Sequence, residues 1–188
     1  MNEVARLHPD KRIELWFQDE ARFGQQGTVS RVWAQTGSRP DGFKQTDYRW
    51  LYLFGAVCPA TGAAHGCLLP WANTDVMNQY LLNFSKSLAR DIHVLLVMDG
   101  AGWHRTGGLT IPENLSLLLL PAYSPRLNPS ELCWREMRQK QLSNRVFPEE
   151  DDLWKAVEAA WLWLIADRQS LQSLCAFPWI LSAINKLN

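Results

Sequence analysis

Three carboxylates have settings that suit chemistry. The stretch from Leu95 to His104, LLVMDGAGWH, is an apolar run that stops at Asp99 and continues as Gly-Ala-Gly, a tryptophan and a histidine. Ile92 and Val94 to Met98 read as a strand covered on both faces, as in the middle of a sheet with helices on either side. Asp99 falls at its carboxyl end, where open α/β sheets place their ligands, and the glycines leave room for a group to approach. Taken alone, Asp99 fits the start of a turn equally well. In IELWFQ, before Asp19, alternation puts Ile13, Leu15 and Phe17 on one face. Asp19 continues that face and Glu20 opposes it, so Asp19 is the inward carboxylate at an expected strand end. An acidic pair closing a strand into a loop is the plainer alternative.

The third carboxylate is Glu131, in LNPSELCWREMRQ. With Asn128 as N-cap and Pro129 as first helical residue, Glu131 takes the capping-box position, reaching back to the N-cap amide. Against that purely structural role, the preceding strand and the loop PAYSPRLNP bring this helix start to the same end of the sheet as Asp99. Three converging carboxylates without a cysteine or histidine cluster suit hard divalent cations, Mg²⁺ or Mn²⁺. Two such ions about 4 Å apart activate the attacking oxygen and stabilise the leaving oxygen in phosphodiester cleavage. Glycosidases also pair carboxylates, but no sugar-cleft signature is present, and no GxSxG elbow supports a serine hydrolase.

The expected elements are a strand at 13–18, a second at Thr28 to Ala34, a third at Tyr48 to Cys58 and a short one at Ala63 to Leu69. A helix follows from about Asp75 to Ala89, its apolar stripe being Val76, Met77, Tyr80, Leu81, Phe84 and Leu88. Then come the central strand to Asp99, a second buried strand Leu115 to Leu120, and the rigid loop 121–129. The remaining helices are expected from about Pro129, from roughly Glu149 to Asp167 with an acidic start, and at Pro178.

The 188 residues form a single expected domain, 1–188, without repeat or linker. Hydrophobic content of 47% and charged content of 20% are those of a globular chain. Lys plus Arg and Asp plus Glu are 19 each, so a nucleic-acid partner must be held by a local patch. Cys58, Cys67, Cys133 and Cys175 form no CxxC pair, which argues against zinc and for reduced thiols in a cytoplasm. No signal peptide opens the chain and no apolar run is long enough to span a membrane.

Three blocks, QDEARFG (Gln18 to Gly24), VMDGAGWH (Val97 to His104) and LPAYSPRLNPSELCW (Leu120 to Trp134), resemble the catalytic blocks of mariner-like DDE transposases, in the branch of bacterial insertion sequences. The third block is long and specific. The tail SLCAFPWI, Ser173 to Ile180, resembles that branch too. The resemblance implies a ribonuclease-H-like α/β fold, a mixed sheet with its first three strands antiparallel, flanked by helices. It implies metal-dependent DNA strand cleavage and strand transfer, with Asp19, Asp99 and Glu131 as catalytic metal ligands for two Mg²⁺ or Mn²⁺ ions. His104 matches the family's histidine after the second aspartate. Gly100 departs from the asparagine common there, and the spacing from Asp99 to Glu131 is slightly shorter than usual.

The helix-turn-helix region that family members carry ahead of this domain is expected to be absent, leaving DNA recognition to a separate N-terminal chain. The implied partners are transposon ends and target DNA, with a homodimer as a further expectation, no membrane, and a bacterial cytoplasmic, nucleoid-associated location. Beside Glu131, Arg126, Arg135, Arg138 and Lys140 are candidates for phosphate contacts, although such charges are also the ordinary make-up of a solvated helix face. His104 is a candidate for orienting a bound water or phosphate, and Trp103 and Tyr123 for base stacking, with packing roles as the alternatives. Trp134 and Met137 read as the apolar face holding the helix to the sheet. The competing functional reading is a catalytically silent remnant that only binds DNA or dimerises.

Overall fold

The computed structural model describes residues 2–25, 33–38, 49–100, 108–121, 124 and 127–185. In chain order the elements are α1 (Asn2–Leu7), β1 (Arg12–Gly24), β2 (Trp50–Cys58), β3 (Ala63–Leu69), α2 (Thr74–Ser87), β4 (Ile92–Met98) and β5 (Leu115–Leu119). They continue with α3 (Ser130–Met137), a π-helical turn (Arg138–Leu142), α4 (Glu150–Ile165), α5 (Arg168–Cys175) and α6 (Pro178–Asn185).

The five strands form one sheet in the order β3-β2-β1-β4-β5. β1 pairs antiparallel with β2, and β2 with β3, whereas β4 is parallel to both β1 and β5. The expected mixed sheet, with its first three strands antiparallel, is therefore present. Its strands divide between two cores by alternation. Leu15, Phe17, Leu95 and Val97 pack with α3, α4 and α5 through Trp134, Met137, Val157, Trp161 and Leu171. Trp16, Val94, Leu96 and Met98 pack on the other face with Met77, Tyr80, Leu81 and Phe84 of α2. β4 is buried along its whole length, as its unbroken apolar run implies. Burial of each such Leu or Phe contributes about 1.5–3 kcal/mol.

Helix α2 begins where its caps predict: Asn73 is the N-cap and accepts from the Val76 amide at 2.9 Å. Helix α4 has its acidic start and a capping box between Glu149 and Asp152. The short helices α1 and α5 are additions to the sequence reading; α5 is capped by Asp167, which accepts from the amides of Gln169 and Ser170.

The strand expected at Thr28 to Ala34 falls mostly on residues 28–32, which lie outside the described residues; Trp33 and Ala34 are exposed and outside any strand. Among the described residues the antiparallel partner of β1 is β2, starting at Trp50. One expectation needs correction: the first strand does not end before Asp19. Antiparallel pairing to β2 carries it through to Gly24, whereas its pairing with β4 stops at Phe17. Asp19 therefore sits mid-strand, two residues past the point where one of β1's two neighbours ends.

Candidate active site

That point organises the site. β1 and β4 run parallel in constant register, Leu15 beside Leu95 and Phe17 beside Val97. Two residues further along each strand path come Asp19 and Asp99. Both follow the parity of the face covered by α3. Asp19 is buried and Asp99, just past β4, is exposed.

Helix α3 is fastened to the same stretch of β1. Ser130 Oγ donates to the Phe17 carbonyl at 3.0 Å, and Asn128 Nδ2 donates to the Gln18 carbonyl at 2.8 Å. Asn128 Oδ1 accepts in turn from the Ser130 amide at 3.1 Å. These side chains occupy β1 carbonyls where β4 leaves the strand, which answers the demand of buried backbone groups for partners. They also fix Glu131, the second residue of α3, beside the start of the opening. The capping-box register expected for Glu131 is not met, because Pro129 rather than Asn128 is the N-cap. Asn128 has turned to bond the sheet, and Glu131 is exposed.

Asp19 has its carboxyl pushed up to about 8. Burial is the largest cause. The hydrogen bond from Trp134 opposes it, and the charges of Glu131, Glu20 and Asp99 each push further up. Repulsion from both other candidate carboxylates thus acts on Asp19. Among the described residues, no three His, Cys, Asp or Glu groups are gathered closely enough to enclose a metal ion as they stand. The donor chemistry nonetheless fits a hard divalent cation: carboxylate oxygens without thiol or imidazole, one of them buried and crowded by negative charge that a cation would neutralise.

Arg138 lies near these groups. It packs over the Phe23 ring at 5.1 Å and donates to the Arg22 carbonyl at 3.3 Å. Burial lowers its proton affinity, and Glu131 and Asp19 raise it. Arg135 is exposed, and Lys140 is paired with Glu136 one turn back, which makes it a poorer phosphate ligand than its position suggests. His104, Trp103, Tyr123 and Arg126 lie outside the described residues.

The residue that the sequence reading missed is Trp134. Its indole Nε1–H donates to Asp19 Oδ2 at 2.8 Å. Gly55 stands opposite Asp19 in the β1–β2 pairing and makes room for that ring. A Cβ on Gly55 would lie 2.5 Å from Trp134 Cη2. Gly55→Ala is expected to cost about 2–3 kcal/mol by overpacking, seen as a lowered urea midpoint at unchanged m-value.

Residues 14–154 match the family described as DDE superfamily endonuclease. The chain belongs to that family. The chain is 40% identical over 130 residues to the uncharacterized protein y4pE/y4sA of Sinorhizobium fredii (strain NBRC 101917 / NGR234), covering 69% of this chain and 96% of the relative. Its fold is shared with Mos1 transposase. A paired-end complex with the left transposon end superposes with a TM-score of 0.64 at 17% identity, covering 91% of this chain and 52% of that one. The Mos1 mariner paired-end complex with Mn gives 0.64 at 16% identity, covering 93% and 55%. The complex with Mg gives 0.61 at 17% identity, covering 86% and 51%. The fold is thus ribonuclease-H-like, and the chain spans about half the length of these solved transposase chains. No helix among the described residues is long and apolar enough to cross a membrane.

Proposed function

We propose that this chain is the catalytic core of a mariner-like transposase, which cuts DNA strands and joins the freed 3′-hydroxyl to target DNA by phosphoryl transfer. The observation that supports this reading is the parallel register of β1 and β4, which ends at Phe17 and Val97, two residues before Asp19 and Asp99, with the start of α3 beside Glu131 bonded through Ser130 and Asn128 to Phe17 and Gln18 of β1. These three residues would hold two Mg²⁺ or Mn²⁺ ions. When bound, the pair supplies an activated attacking oxygen and a stabilised leaving oxygen.

The chain's own groups do the positioning. Asp19 is held in β1 by its antiparallel pairing with β2 and by the hydrogen bond from Trp134. Glu131 rides on a helix start that Ser130 and Asn128 lock to the sheet. Arg138 and Arg135, on the helical segment that follows Glu131, are candidates to meet the phosphates of a bound strand; Arg126 and His104 are candidates by their closeness in sequence to Glu131 and Asp99. Arg138 is the best prepared of these, because packing on Phe23 reduces the side-chain freedom lost on binding. Transposon ends and target DNA are the substrates under this reading, with a second copy of the chain as partner.

The test is nicking of supercoiled plasmid with Mg²⁺ or Mn²⁺ and with chelator, alongside DNA-binding anisotropy across a salt series. The reading expects nicked product only with metal. Three arginine–phosphate contacts predict a log–log salt slope of about −3 and little difference between unrelated duplexes. Metal-independent cutting would refute it, as would metal uptake with no cutting of any DNA form; the latter is the result expected of a silent remnant.

A further inference from the structure

Trp134 lies one helical turn beyond Glu131, and its side chain is wholly buried. Packing alone would explain a buried indole at that spacing. It does not explain where the ring's one polar atom goes. Nε1–H is a donor only, and it is spent on Asp19 Oδ2 at 2.8 Å, across 115 residues of sequence.

The surroundings hold the ring in that place. Gly55, opposite Asp19, removes the Cβ that would collide with Trp134 Cη2 at 2.5 Å. Gly66, paired with Gly55 on the next strand, does the same for Trp161, whose Cε2 would lie 2.6 Å from an added Cβ. The two indoles pack with centroids 6.0 Å apart at 34°. Two glycines side by side thus form a trench across β2 and β3, and two tryptophans fill it. With Trp161 in the second half, Trp134 has no room to slide away from Asp19. The helix that carries Trp134 is itself bonded to β1 through Ser130 and Asn128.

A carboxylate turns about its last torsion in a broad, twofold well. One fixed donor on Oδ2 removes that freedom and leaves Oδ1 for a cation. We propose that Trp134 is a positioning residue that sets the orientation of the Asp19 carboxylate for divalent-metal binding, and that the Gly55–Gly66 trench exists to seat it. This rests on the reading of Asp19 as a metal ligand given above. It also ties two of the three carboxylates together, because α3 presents Glu131 at its start and steers Asp19 from its next turn. Residues that orient a ligand in this way change metal affinity or activity by roughly 10–100-fold when removed.

The experiment compares Mn²⁺ affinity, read by electron paramagnetic resonance, in the wild-type chain, Trp134→Phe and Trp16→Phe. Trp16 is a matched control: it is also buried, and its indole donates to a carboxylate oxygen, Glu14 Oε2, at the same 2.8 Å, but its ring packs on the α2 side of the sheet. Trp134→Phe is expected to weaken Mn²⁺ binding roughly 10–100-fold and to lower kcat for nicking with little change in KM for DNA. Trp16→Phe should leave Mn²⁺ affinity unchanged.

Equal affinity in Trp134→Phe and wild type overturns the proposal and leaves the metal site standing. A wild-type chain that takes up no Mn²⁺ overturns the metal site itself, and this proposal with it. Should Trp134→Phe fail to fold, indole ¹⁵N–¹H spectra decide. One of the ten tryptophan resonances should move on adding diamagnetic Mg²⁺, and the same one should move in Asp19→Asn. Movement of different resonances, or of none, overturns the proposal.

Discussion

Asp99→Asn is expected to lower metal-dependent nicking by roughly a thousandfold or more and to leave the fold intact. A metal at such a site supplies several kcal/mol of charge stabilisation to the transition state, and each 1.36 kcal/mol is tenfold in rate. Asparagine keeps the shape but loses the charge, so the ion is held weakly or displaced. Folding should be indifferent. Asp99 is exposed, and β4 is anchored by Val94 to Met98, all of them buried. A surface substitution of this kind changes stability by about 0.5 kcal/mol or less. The control is Asp91→Asn at the opposite end of β4, an exposed carboxylate near Arg12. It should nick at the wild-type rate. Equal losses in both variants would point to a general charge effect on DNA rather than to a ligand.

Asp19→Asn is expected to stabilise the metal-free protein, and increasingly so as the pH rises. The Asp19 carboxyl is pushed from 3.8 to about 8, chiefly by burial. The folded state therefore keeps a proton that the unfolded state gives up. Stability contributed by this group is fully present below the unfolded value and is lost as the pH climbs through the folded one. Between about pH 4 and 8 the metal-free wild type should lose stability steadily from this group, by several kcal/mol in all. The asparagine variant has no such group and should show a flatter profile, so the two curves diverge toward alkaline pH. Urea unfolding with chelator at pH 5 and pH 9 measures it. Saturating Mg²⁺ should reverse the order, because a cation that binds only the folded wild type stabilises it by mass action. A wild type that is more stable than Asp19→Asn at pH 9 in chelator would contradict the assigned burial and repulsion.

Under the proposed reading these two variants separate the roles within one site. Asp99, the exposed member, would be costly to lose for activity and cheap for folding. Asp19, the buried member, would carry a charge that works against the fold until a cation neutralises it. Such opposition between stability and function is common where ligands are held ready in a protein interior.

Much of this was legible in the residues because it follows from periodicity. The run from Ile92 to Met98 could only be a doubly covered strand, and alternation from Ile13 placed Asp19 rather than Glu20 on the α3 face. The stripe on α2 and the acidic start of α4 are local signals of the same kind. What failed depended on distant partners. β1 continues past Asp19 only because β2, some thirty residues on in sequence, pairs with it. Asn128 reads as a helix cap from its neighbours, yet its amide is drawn to the Gln18 carbonyl, 110 residues away. Trp134 was legible as buried and not as a donor to Asp19, since helical spacing says which way a ring faces but not what its nitrogen meets. The signal that could have found it is the pair Gly55 and Gly66, each in the interior of a strand, because glycine within a strand marks a close approach.

The most direct test of the central claim is a crystal grown with Mn²⁺ and measured near the manganese absorption edge. The account predicts anomalous density beside Asp19 Oδ1, within ligand distance of the Asp99 and Glu131 carboxylates, with the Trp134 indole still bonded to Oδ2. Manganese bound elsewhere on the chain, with those three carboxylates apart and without metal, would contradict it.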